Sequence, residues 1–192
     1  MTGVIMMRCF HIVRRLSRFT RDTRGMAAVE FAIIVPMMLT IFFGTIEISN
    51  GVTVDRKLTL AARTLSDLIS QGTKATNTDI DNAFKMGGTI LTPYSASPLQ
   101  QRISAIDIDD KGVATVAWTD SYNVSSMKAL QKGDVVSIPD ALRVNNTQLI
   151  LGEVVYKYKP AVGYIMGQEG VTLTDSTYTR PRQSAKVDRT AS

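Results

Sequence analysis

Catalytic and metal-binding chemistry has few places to reside in this chain of 192 residues. The single cysteine, Cys9, and the single histidine, His11, both lie among the first 25 residues. Nothing after Gly25 can therefore form an intramolecular disulfide, pair a thiol or imidazole with a base, or supply the usual ligands of zinc, haem or iron–sulfur clusters. Cys9 follows Met6, Met7 and Arg8 rather than the small residues that lipoprotein processing needs, and is incidental. Asp107, Asp109 and Asp110 crowd a turn ahead of Gly112 and invite a calcium reading. Their spacing lacks an EF-hand loop and its bidentate glutamate, and acids beside a turn are ordinarily just solvated. An exported hydrolase working through Asp107 and Asp109 alone would have no histidine to call on. No catalytic residue, cofactor or metal site is expected.

One constellation does carry directional chemistry. In RGMAAVEF, Gly25 closes a basic segment and Glu30 is the fifth residue after it. Arg8, Arg14, Arg15, Arg18, Arg21 and Arg24 face one acid, Asp22, so this segment holds the whole formal charge of +5 and the rest of the chain is balanced. A nucleic-acid-binding body is excluded on that ground. From Met26 to Ile48 follow 23 residues whose only charges are Glu30 and Glu47. A helix of that length spans ~34 Å, enough to cross a bilayer. The arginines on its N-terminal side keep that end cytoplasmic. A cleaved secretory signal fits poorly, because its apolar core is shorter and TIEISNGVTV offers no A-x-A site.

An acid buried in an apolar span costs ~2.5–3.5 kcal/mol at the bilayer centre and less near the edge, so Glu30 needs a compensating partner. The spacing resembles the type IV prepilin processing site, which implies cleavage after Gly25 by a membrane aspartyl peptidase. Met26 would become the new first residue, and its α-amino group, largely protonated at neutral pH, could pair with Glu30. Snorkelling of Glu30 to the headgroups is the alternative that needs no cleavage. Pro36 removes a backbone donor inside the span. Glu47 lies at the outer interface, where hydration or a partner contact would suit it.

These residues need elements to position them. Leu58, Ala61, Ala62, Leu65, Leu68 and Ile69 recur at helical spacing up to Gly72, so the membrane helix continues as an amphipathic one. A second helix is predicted from Thr78 as N-cap, with Asp79 and Asp81 in its first turn and Ile80, Ala83 and Phe84 on its buried face, ending at Gly87 and Gly88. A hairpin over 102–120 turns at DDKG with Ile106 and Ile108 on its apolar side. SSMKALQKG reads as a short helix, TQLILGEVVYKYKP as a central strand with Tyr156 and Tyr158 on one face, and VTLTDSTY as the last strand. The fold class is α+β: an N-terminal transmembrane helix extending into an amphipathic helix packed on a small, mainly antiparallel sheet. Its parts are a basic leader at 1–25, the transmembrane helix at 26–48, an extracytoplasmic domain at 49–178 and a flexible basic tail at 179–192.

RDTRGMAAVEFAIIVPMMLTIFFGTIEISN resembles the opening of TadE-like proteins of tight-adherence (Flp, type IVb) pilus systems: an arginine-rich leader, G-x-x-x-x-E-[FY], then an apolar run with Pro and a late Glu. Phe31 and Glu47 fit that pattern, and EVVYKYKP and YTRPRQS are similar to the family further on. The leader departs from it in its early apolar stretch VIMMRCFHIV, so that Met6 or Met7 could be the start. The resemblance implies a pilin-like, non-enzymatic pseudopilin of the bacterial inner membrane, with its C-terminal domain periplasmic, acting within the pilus or at its base. It also implies prepilin peptidase, other minor pilins, the pilus assembly platform and membrane lipid as partners. Gly25, Met26, Glu30 and Phe31 would form the processing site, and Glu30, Pro36 and Glu47 would serve subunit docking. An uncleaved single-pass anchor carrying a binding or scaffold domain is the alternative.

Overall fold

A computed structural model describes residues 24–160 and 170–190. The leader, apart from its last two residues, and the end of the tail lie outside the described residues. Contacts divide the chain into two units, Met1–Ile46 and Glu47–Ser192.

In the first unit, the described residues belong to helix α1 (Arg24–Ser70), which runs on into the second unit. Met26, Phe31, Ile33, Met37, Ile41 and Phe42 are all exposed. Pro36 lies inside the helix without ending it. The helix is long and apolar enough to cross a membrane, and none of its most apolar window is buried. It fits a single-pass membrane anchor.

The second unit is α+β, with the antiparallel sheet expected. After α1 come β1 (Lys74–Ala75), helix α2 (Asn77–Ile90), β2 (Leu99–Ile108), β3 (Ala114–Tyr122), a short 3₁₀ turn (Asp140–Leu142), β4 (Thr147–Tyr158), β5 (Val171–Thr179) and β6 (Asp188–Arg189). The four long strands form an antiparallel sheet in the order β3-β2-β4-β5, which places the TQLILGEVVYKY strand centrally as the sequence predicts. Val54, Leu58, Ala61, Ala62, Leu65 and Ile69 of α1 are buried against Ile103, Ile150 and Val154 of the sheet. Each large aliphatic side chain so buried contributes ~1.5–3 kcal/mol. Gly152 lets the helix come this close, since a Cβ there would stand 2.5 Å from the Ala62 carbonyl oxygen. The opposite face of the sheet buries Ile106, Ile108, Leu149 and Leu151 with Ile138 of the 123–146 connection.

Four local expectations give way to packing. The N-cap of α2 is Thr76, not Thr78: Thr76 Oγ1 accepts from the Asp79 amide at 3.2 Å, and Asp79 Oδ2 accepts from the Thr76 amide at 3.0 Å. Both threonines have an acid three residues on. Only Thr76 puts apolar residues at the flanking staple positions, Ala75 and Ile80, and both are buried.

Gly87 and Gly88 do not end α2, which continues to Ile90. The space a side chain at Gly87 would fill is taken by Gln101, whose Oε1 would lie 2.0 Å from such a Cβ and whose Nε2 donates to the Phe84 carbonyl at 3.1 Å. The helix end is held from α1, where Lys57 Nζ donates to the Ile90 and Thr92 carbonyls, both at 2.8 Å.

SSMKALQKG forms no helix. Gln100 Oε1 takes the amides of Ser125 and Ser126 at 3.0 and 2.9 Å, and Arg102 donates to the Lys128 carbonyl, so the segment's polar groups are engaged with β2.

Over 180–190 the tail expected to be flexible is packed. Val187 is fully buried, Trp118 Nε1 donates to its carbonyl at 2.8 Å, and β6 pairs in parallel with β1. Three of its four cations meet acids on three different elements: Arg182 pairs with Asp67, Lys186 with Asp107 at 2.7 Å and Arg189 with Asp120 at 2.8 Å.

Candidate functional site: the apolar helix and its two edges

Gly25, Met26, Glu30 and Phe31 all lie in the first turns of α1, and all are exposed. A Cβ at Gly25 would meet nothing within 4 Å, so nothing described crowds the peptide bond after it. Met26 and Glu30 are four residues apart, the spacing at which helical neighbours stand one above the other. Pro36 is exposed one to two turns further on. The hydroxyls of Thr40 and Thr45 donate to the Pro36 and Ile41 carbonyls, both at 2.8 Å. These two polar side chains of the span are thus satisfied within the helix, and Glu30 remains its costly group.

Glu30 lies in the first unit and Glu47 in the second. Glu47 opens the second unit, half-buried, and its carboxylate accepts from the Tyr158 hydroxyl at 2.7 Å. One turn on, Asn50 Oδ1 accepts from Tyr94 at 3.3 Å, and Tyr156 donates to the Ser95 carbonyl at 3.0 Å. Three tyrosines thus gather where the folded body begins. Burial, then the hydrogen bond to Glu47 and its negative charge, push the Tyr158 hydroxyl far above the ordinary tyrosine range. Burial also raises Tyr156, with a smaller contribution from Tyr94. Sequence reasoning placed Tyr156 and Tyr158 on one face but missed their partners, because Glu47 and Tyr158 are 111 residues apart. The signal was a carboxylate at the end of an apolar run together with a tyrosine pair on a central strand.

The acids at the hairpin have structural work. Asp107 accepts from Gln148 at 2.9 Å and from Lys186 at 2.7 Å. Asp109 Oδ1 accepts from the amides of Lys111 and Val113, at 2.9 and 2.7 Å, and so closes the turn. Among the described residues, no three His, Cys, Asp or Glu side chains gather as metal ligands would.

A family model of the TadE-like proteins matches residues 25–66. The matched segment starts at Gly25, takes in the apolar helix with Glu30, Pro36 and Glu47, and stops within the buried stripe of α1. No curated protein and no solved structure matches the chain.

Proposed function

Taking the TadE-like segment at 25–66 as premise, we propose that the chain is a minor pseudopilin of tight-adherence (type IVb) pilus assembly. Prepilin peptidase cuts it after Gly25, at the cytoplasmic face of the inner membrane. The observation that carries this reading is the family match opening at Gly25 on an exposed apolar helix with Glu30 one turn inside. Cleavage removes the whole net charge of the chain and creates an ammonium at Met26, in helical register with Glu30. That ammonium, of the same chain or a neighbour, neutralises the one costly acid of the span. Glu30 and Pro36 then serve docking in the subunit array. Glu47, whose carboxylate is engaged by Tyr158, acts as a strut holding α1 to the body. The chain itself performs no catalysis. Its partners are the peptidase, other minor pilins, the assembly platform and membrane lipid, with the second unit on the periplasmic side.

Intact-mass measurement of the protein from membranes of cells with and without prepilin peptidase tests this. The expected result is loss of residues 1–25 only where the peptidase is present, and loss of cleavage in Gly25→Ala. A leader retained in both strains overturns it and leaves an uncleaved anchor with a scaffold domain.

A further inference from the structure

The two edges of the sheet are treated differently. Along β3, the 133–136 segment caps the edge: Val116 donates to the Asp134 carbonyl at 2.9 Å and accepts from Gly133 at 2.8 Å, and Val136 donates to the Ala114 carbonyl at 3.0 Å. Among the described residues, β5 has no such cover. Its nine residues pair with β4 in unbroken register, and among the described residues they make no other backbone hydrogen bond. The Ser176 amide donates to Asp175 Oδ1 at 2.7 Å rather than across the ladder. By the two-residue period of a strand, the amides of Thr172, Thr174 and Tyr178 share that outward side. Proteins commonly blunt such an edge with proline, lysine, a bulge, a short strand or a charge turned inward. VTLTDSTYT has none of the first four. Its one charge, Asp175, is turned in, but it is engaged by Thr59 of α1 on the helix face, and the outward backbone groups stay open.

A groove of about 560 Å³ lies beside this edge, between the flank of α1 and the end of β5. Leu60 and Leu68 supply apolar wall, and Leu60 is 52% exposed. Arg63, Asp67 and Arg182 line it as well; Asp67 is paired with Arg182, which leaves Arg63 with no ion pair among the described residues. The groove is thus net positive and apolar, alongside a row of open backbone donors and acceptors.

We propose that β5 is a strand-addition site, which an extended segment of another extracytoplasmic subunit joins as a fifth strand. Its alternate apolar side chains lie against Leu60 and Leu68, and an acidic residue faces Arg63. Backbone pairing would supply affinity and the flanking groove specificity. A second copy of this chain fits less well, because antiparallel β5 strands centred on one another set Asp175 opposite Asp175, and like charges so placed repel. The extracytoplasmic location of the partner rests on the pseudopilin reading.

Photo-crosslinking residues placed singly at Thr172, Thr174 and Ser176 of the full chain, in piliating cells, test the proposal by mass-spectrometric mapping of the adducts. The expected result is one partner polypeptide whose crosslinked position moves by two residues for each step of two in β5. Thr174→Pro should cut the adduct at Ser176 at least tenfold, by removing an outward amide, whereas Thr174→Val retains it. Arg63→Glu, which leaves the strand untouched, should cut it as well and covers the case in which the proline variant fails to accumulate. No adduct, an adduct only to a second copy, or positions that do not step with β5 would overturn the proposal. The mass of the same protein separates the two readings: a cleaved leader without the stepped adduct refutes only strand addition, and a retained leader with it refutes only the pseudopilin.

Discussion

Replacing Tyr158 by phenylalanine isolates the contact that ties α1 to the folded body. The ring is 8% exposed and its hydroxyl donates to a carboxylate at 2.7 Å, so Tyr158→Phe keeps the packing and removes one charge-assisted hydrogen bond. Bonds of that kind contribute ~1.5–3 kcal/mol. Glu47 is half-buried and regains some water when the donor goes, which sets the expected loss at ~1–2 kcal/mol, around or just below the bottom of that range. For a body of this size it corresponds to a fall in Tm of ~3–6 °C, read by thermal unfolding of the detergent-solubilised chain. Glu47→Gln keeps an acceptor but removes the charge, and a double-mutant cycle should give a coupling of ~1 kcal/mol. The pH dependence has a fixed sign. The folded hydroxyl titrates above its unfolded value, so its stabilisation is complete below the ordinary tyrosine range, about pH 10, and is lost as pH rises through the raised folded value. Phenylalanine should abolish that alkaline loss. Additive effects of the two substitutions, or an unchanged alkaline limb in Tyr158→Phe, would show that Glu47 is not held in this way.

Two further substitutions probe the positioning elements. Gly152→Ala forces a methyl against the Ala62 carbonyl and the Ser66 amide of α1, and should cost ~1–3 kcal/mol or more in chemical denaturation, since backbone rather than a flexible side chain must yield; an unchanged midpoint would show that helix and strand are not in contact there. Thr76→Ala should cost ~1 kcal/mol by removing the cap of α2. The side-chain hydrogen bond from Thr76 holds Asp79 below the usual carboxylate range, so the capping contribution is present above that range and is lost as pH falls through the depressed value. A pH-independent difference between Thr76→Ala and the parent would refute that assignment.

What the sequence made legible is short in range. Leu58 to Ile69 repeat every three or four residues, so the amphipathic half of α1 is readable from one stretch, as are the alternation at Ile106 and Ile108 of β2 and the run apolar on both faces that makes β4 central. Gly25 and Glu30 lie within six residues of each other, which is why the candidate processing site needed no structure. Thr76 and Thr78 offered equivalent local signals, and only the burial of Ala75 and Ile80 chose between them. Gly87 resembles a helix stop until Gln101 is seen in the place of its side chain. Glu47 with Tyr158, and Arg182, Lys186 and Arg189 with their acids, join residues 69 to 115 positions apart. A balanced charge count says that such pairs are available, not which ones form, and a run of polar residues therefore read as a loose tail when it was a clasp.

This division of range bears on how such a subunit is built. The TadE-like match ends at residue 66, before the first strand of the sheet, so it takes in the span with its acids and the first packed turns of α1. The open edge of β5, the groove beside it and the C-terminal clasp lie beyond that point, except for the flank of α1 at Leu60 and Arg63. On the proposed reading, a subunit that is cut by prepilin peptidase and enters a helical array needs an anchor suited to those steps. Recognition of one particular neighbour needs a surface that the anchor does not dictate. The β5 edge, exposed on the body and bordered by a single helix flank, meets that second requirement without disturbing the first. Substitutions along β5 should accordingly alter partner choice while leaving cleavage after Gly25 intact, and substitutions at Gly25 should do the reverse.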